Sequence, residues 1–82
     1  MMKTKTITKR NGKVVPFDKI RIVNAIYKAM ISAGEDKKDI AIDIAGRIEE
    51  NYYEGITVED VERQVVKELF LADLDVVADN YS

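Results

Sequence analysis

Apolar residues recur at three- and four-residue spacing in three separate runs, and this pattern restricts the fold more than any other feature of the chain. Ile22, Val23, Ile26, Tyr27, Met30 and Ile31 form one run, and Ile40, Ile44 and Ile48, with Ala41 and Ala45 beside them, form the next. Val58, Val61, Val65 and Leu69 form the third, with Val66 and Phe70 alongside. Residues so spaced share one face of an α-helix, and a helix with a single apolar face must bury it against another element. In a chain of 82 residues the three faces have little but one another to meet, so Met30 and the isoleucine stripe read as core and not as ligand contacts. A shorter fourth run, Leu74, Val77, Ala78 and Tyr81, keeps helical spacing and starts indistinctly at Asp73 or Asp75.

Punctuation between the runs agrees with that reading. Asp18 stands where an N-cap would precede the first helix, Gly34 where a left-handed residue would end it, and Asp36 where the next helix would be capped. The second helix is expected to run to about Tyr52. Gly55 then breaks the chain, and Thr57 with Asp60 has the spacing of a capped start for the third. Ahead of the helices, Lys5–Lys9 alternates in polarity and Lys13–Phe17 is rich in β-formers, with Arg10-Asn11-Gly12 between them. This predicts a hairpin over residues 5–17 with Asn11-Gly12 as a two-residue type I′ turn and Pro16 at a strand end or edge. The fold class is therefore α+β, a small four-helix bundle capped by an N-terminal β-hairpin, in a single domain over residues 1–82. A chain this size buries about 60–65% of its unfolded surface, which leaves room for a surface cleft but not for a deep catalytic cavity.

With no Cys and no His, the chain has no thiolate nucleophile, imidazole base or soft metal ligand. Asp36/Asp39/Asp43, Glu49/Glu50 and Asp73/Asp75/Asp79 have the spacing of caps and solvated helix faces, so no catalytic residue and no metal site is expected among them. Gly12-Lys13 lacks the earlier Gly and the following Ser or Thr of a Walker A loop, and no dinucleotide fingerprint is present. No apolar run approaches the roughly 18 residues of a membrane span, and Met1–Thr8 is too polar for a secretory signal, which predicts a cytoplasmic protein.

The formal net charge of −2 conceals an asymmetry. Through residue 28 the chain carries Lys3, Lys5, Lys9, Arg10, Lys13, Lys19, Arg21 and Lys28 against Asp18 alone, a net of +7, and the remainder carries −9. A local positive field of this kind attracts phosphate whatever the total charge. Extended nucleic acid is disfavoured by a pI near 5.1. The informative constellation is Ile7, Lys9-Arg10, Asn11-Gly12, Phe17-Asp18 and Arg21-Ile22, which sets two adjacent cations on a hairpin rim and a third one turn into the following helix. Consecutive strand residues point to opposite faces, so only the twist of the turn would bring both Lys9 and Arg10 to one triphosphate.

At these residues the chain resembles the ATP-cone, the regulatory nucleotide-binding module at the N-terminus of many ribonucleotide reductases. The resemblance is carried by Ile7-Thr8-Lys9-Arg10-Asn11-Gly12, by Val14-Val15-Pro16-Phe17-Asp18, by Arg21-Ile22 with Asn24-Ala25-Ile26, and downstream by Glu54-Gly55-Ile56-Thr57-Val58-Glu59-Asp60-Val61. It covers essentially the whole chain and is similar above all to the anaerobic ribonucleoside-triphosphate reductases. It implies that ATP or dATP lies between the β-cap and the first helix, with Lys9, Arg10 and Arg21 on the phosphates. Ile7 and Ile22 would pack on adenine, while Val15, Asp18, Val58 and Glu62 line base or ribose, Asp18 reading the exocyclic amine. Arg21 stands where many relatives have Lys, which keeps the charge but changes its geometry. Relatives continue with basic residues after the fourth helix, so a further phosphate contact is expected beyond Ser82, in a larger protein of which this chain is a fragment.

The function implied is allosteric: the domain itself catalyses nothing, ATP activates and dATP inhibits the attached reductase, Mg²⁺ accompanies the triphosphate, and assembly into oligomers responds to the nucleotide. Two rivals stand beside it. One is a helical protein-interaction module without nucleotide, its basic hairpin docking an acidic surface; the other is the cone of a transcriptional repressor of reductase genes, in which a Cys-rich zinc ribbon would precede the residues seen here.

Overall fold

The computed structural model describes residues 5–81; Lys3 of the basic segment and Ser82 lie outside them. Two short strands, β1 (Thr6–Thr8) and β2 (Val14–Pro16), form an antiparallel hairpin, followed by four helices: α1 (Lys19–Ser32), α2 (Lys38–Glu50), α3 (Val58–Leu71) and α4 (Asp75–Tyr81). The architecture is the expected α+β one. No helix among the described residues is long and apolar enough to cross a membrane.

The three apolar runs meet as their spacing requires. Ile26 and Met30 of α1, Ile44 and Ile48 of α2, Val65 and Leu69 of α3 and Val77 of α4 are fully buried, together with Ile56 from the α2–α3 connection. Each contributes about 1.5–3 kcal/mol relative to an exposed position. Helix α1 lies against α2 and α4, and α3 against the same two. Two residues counted in the runs depart from them: Phe70 is 49% exposed and Ile31 52%. Each lies at the edge of its stripe, beside the neighbour that carries the burial, Leu69 and Met30 respectively.

Local signals set most helix ends. The Asp18 carboxylate accepts from the Ile20 N–H at 3.0 Å and starts α1. Gly34, at φ 77°, ends it in a Schellman motif, with Glu35 N–H donating to the Met30 carbonyl at 2.8 Å and Gly34 N–H to that of Ile31 at 3.1 Å. Asp36 does not cap α2. The residue at that position is Lys37, which makes no side-chain capping bond, and the Asp36 carboxylate instead accepts the Tyr27 hydroxyl of α1 at 2.7 Å. Asp73 ends α3 and does not begin α4: it takes φ 65°, and Leu74 N–H donates to the Leu69 carbonyl at 2.9 Å.

At α3, Thr57 and Asp60 form the capping box, each side chain accepting from the other's backbone N–H. Asp60 also accepts the Tyr53 hydroxyl at 2.7 Å and pairs with Arg63. The Tyr53 hydroxyl first, then the Thr57 N–H and the Arg63 guanidinium, hold the Asp60 carboxyl well below the usual carboxylate range. A folded-state pKa below the unfolded value of about 3.9 contributes stability that is fully present above that pH and is lost as pH falls from there through the lower folded-state value. Asp60→Asn is therefore expected to melt lower than wild type at pH 7, with the gap closing as pH is lowered from about 4 towards 2. A gap that stays constant over thermal melts at these pH values would refute this.

The hairpin turn differs from expectation. Lys9 N–H donates to the Lys13 carbonyl at 2.8 Å and Gly12 N–H to the Lys9 carbonyl at 2.9 Å, which makes a three-residue loop, Arg10-Asn11-Gly12. Gly12 has φ 82°, whereas Asn11 is not left-handed, so this is a type I turn closed by a left-handed glycine and not a type I′ turn. The Asn11 side-chain oxygen accepts from the Lys13 N–H at 2.9 Å, an Asx bond made without positive φ. The hairpin is docked by backbone: Thr8 N–H donates to the Ile56 carbonyl at 3.0 Å, Thr8 and Thr57 form a parallel bridge, and Thr6 N–H reaches the Tyr52 hydroxyl at 3.0 Å. The Phe17 ring meets that of Tyr52 edge-on at 5.7 Å.

Candidate functional site

A groove of about 210 Å³ runs between the hairpin, α1 and the first turns of α3. Ile7 and Val15 are register partners across the hairpin and so present one face to it. Arg21, Ile22 and Ala25 line it from α1, and Val58, Val61 and Glu62 from α3, each set three or four residues apart and hence on one helix face. Pro16 and Phe17 supply further apolar wall, Lys9 and Asp18 stand at the hairpin side, and Tyr81 reaches in from α4. The lining is largely aliphatic and aromatic with a charged border, as in a site that takes an apolar ring and holds a charged tail outside.

The cations differ in their surroundings. Arg21 Nε lies 3.9 Å from Asp18 Oδ2, while Oδ1 of the same carboxylate is engaged by the α1 cap. Arg10 is turned away to a neighbouring depression lined by Lys9, Asn11 and Val58. There its Nε lies 3.1 Å from Glu59 Oε1 and its Nη2 3.9 Å from Glu62 Oε2. Among the described residues no carboxylate lies within 4.0 Å of the Lys9 ammonium. The Tyr81 hydroxyl has its pKa pushed up by burial and, secondarily, by the negative charge of Glu62.

Of the residues singled out by sequence, Ile7, Lys9, Val15, Phe17, Asp18, Arg21, Ile22, Val58 and Glu62 all line the groove, and Arg10 does not. Lys9 borders both openings, whereas Arg10, the first residue of the turn, borders only the neighbouring one. Ala25 and Val61 were missed, though each lies one helical turn from a residue chosen, and so was Pro16, which adjoins Val15. Tyr81 had no local signal, because only the packing of α4 brings it there. Among the described residues no group of three or more His, Cys, Asp or Glu side chains could hold a metal ion. Mg²⁺ needs no such cage when triphosphate oxygens and water supply most of its ligands.

Comparison with known proteins gives two concordant matches. The chain is 35% identical over 75 residues to a vitamin B12-dependent ribonucleoside-diphosphate reductase of Thermoplasma acidophilum. That match covers 87% of this chain and 10% of the reductase, so the chain spans about a tenth of the length of the curated relative it matches. The family model described as the ATP cone domain matches residues 5–82. With that match running from β1 through α4, the chain belongs to the ATP cone domain family of nucleotide-binding regulatory modules.

Proposed function

We propose that this domain binds ATP and dATP in the groove and regulates the overall activity of a ribonucleotide reductase, ATP sustaining and dATP suppressing it. The observation that supports this reading most is the assembly of an apolar slot and a cationic border from elements far apart in sequence. Ile7, Val15 and Ile22 offer adenine two apolar surfaces, while Lys9 and Arg21 stand where a phosphate chain would leave the slot. At about 210 Å³ the groove falls below the roughly 300–1,000 Å³ that encloses drug-sized ligands, which suits a base and sugar with the phosphates outside. Asp18 Oδ2, which makes no hydrogen bond among the described residues and faces Arg21 only at 3.9 Å, has an acceptor position for an exocyclic amine. A sensor further requires that ATP and dATP, which differ by one hydroxyl, favour different conformations, since a ligand with equal affinity for two states shifts nothing. The reductase relative supports a reductase host without favouring the anaerobic class.

Calorimetric titration with ATP, dATP, AMP and CTP tests the proposal. Both adenine triphosphates should bind, AMP at least about tenfold more weakly because it leaves cations unused, and CTP more weakly because a pyrimidine fills less of the slot. No heat with either adenine triphosphate up to millimolar concentration would favour the interaction-module reading instead.

A further inference from the structure

The docking of β1 on the start of α3 brings the hairpin turn beside the first helical turn, where Arg10 and Glu59 meet. Thr8 and Thr57 form a parallel bridge, and two residues further along each chain stand Arg10 and Glu59. Their side chains meet at 3.1 Å, with Glu62, one helical turn on, at 3.9 Å from the same guanidinium. The pair therefore holds the hairpin tip to the start of α3 and keeps Arg10 out of the groove that Lys9 lines. Glu59 itself lines only the outer surface of α3.

We propose that Glu59 is a specificity-determining residue that competes with the ligand's terminal phosphate for Arg10, so that the domain discriminates the number of phosphates as well as the base. This rests on the nucleotide reading above. A terminal phosphate brings close to two negative charges and three acceptor oxygens, enough to draw the guanidinium from Glu59 and from the more distant Glu62. A monophosphate held near Lys9 and Arg21 has nothing to offer Arg10 and leaves the pair intact. The pair is exposed, with Arg10 at 76% and Glu59 at 38%, so breaking it costs a factor of up to about five in affinity, and that cost falls on the triphosphate alone.

Titration of wild type, Glu59→Gln, Glu59→Asp, Arg10→Ala and the Glu59→Gln/Arg10→Ala double variant with ATP and AMP tests this, with thermal melts showing that each is folded. Glu59→Gln should tighten ATP about three- to fivefold and leave AMP unchanged, Glu59→Asp should return ATP towards wild type, and Glu59→Gln should have no effect once Arg10 is Ala. Equal tightening with and without Arg10 would mean plain repulsion between Glu59 and phosphate and would overturn the competition. An unchanged ATP affinity in folded Glu59→Gln would overturn it too. Failure of wild type and every variant to bind ATP removes the nucleotide reading itself, and is recognisable because wild type then gives no heat at all.

Discussion

Lys9→Ala is expected to weaken ATP and dATP binding by roughly ten- to a hundredfold, the largest loss for any single change in the groove. A charge-assisted hydrogen bond contributes about 1.5–3 kcal/mol, and in most cations part of that is offset by the bond given up in the free protein. Arg21 has Asp18 at 3.9 Å and Arg10 has Glu59 at 3.1 Å, but Lys9 has no carboxylate within reach among the described residues. Its full interaction is thus available to phosphate, and Arg21→Ala should lose somewhat less. Lys37→Ala is the control, because Lys37 sits at the start of α2, pairs with Glu35 at 3.3 Å and lines no part of the groove. Calorimetry on the three variants decides the matter. Similar losses for Lys37→Ala and Lys9→Ala would mean a diffuse field in place of a site.

Ile44→Ala is expected to destabilise the fold by about 2–5 kcal/mol, the usual range for truncating a buried isoleucine. Ile44 is fully buried within the shared core. For a chain of 82 residues, total stability of roughly 0.05–0.15 kcal/mol per residue leaves little margin for such a loss. At about 4–8 °C per kcal/mol the Tm should fall by about 8 °C or more. Phe70→Ala removes a larger side chain that is 49% exposed and should shift Tm far less. Comparable losses in the two melts would place the core elsewhere than at the junction of the helices.

Most of what depends on neighbours in the chain was legible beforehand. Asp18 as a cap, Gly34 as a left-handed end and Thr57 with Asp60 as a capping box are all short-range arrangements, and the structure has each of them. What could not be read depends on partners brought in by packing. Asp36 resembles a cap until Tyr27 comes within 2.7 Å and takes its carboxylate. The turn is the exception, a local feature misread: the Asn11 side chain accepts from the Lys13 N–H two residues on, and the loop is one residue longer than Asn11-Gly12 alone suggests. The groove divides the same way. Its hairpin and α1 residues form a compact motif in sequence, whereas Tyr81 and the diversion of Arg10 towards Glu59 exist only once α3 and α4 are in place.

That last dependence bears on kinetics. The groove takes Ile7 from the first strand and Tyr81 from the last helix, and its hairpin is tied to the chain at Ile56. Such sequence-distant contacts close late, after the local helical turns have formed, because the entropy of the intervening loop must be lost first. An occupant of the groove therefore finds no binding surface in the early folding ensemble and stabilises the finished structure far more than the barrier leading to it. Nucleotide should accordingly act as a brake on unfolding while leaving the refolding limb of the chevron nearly where it was.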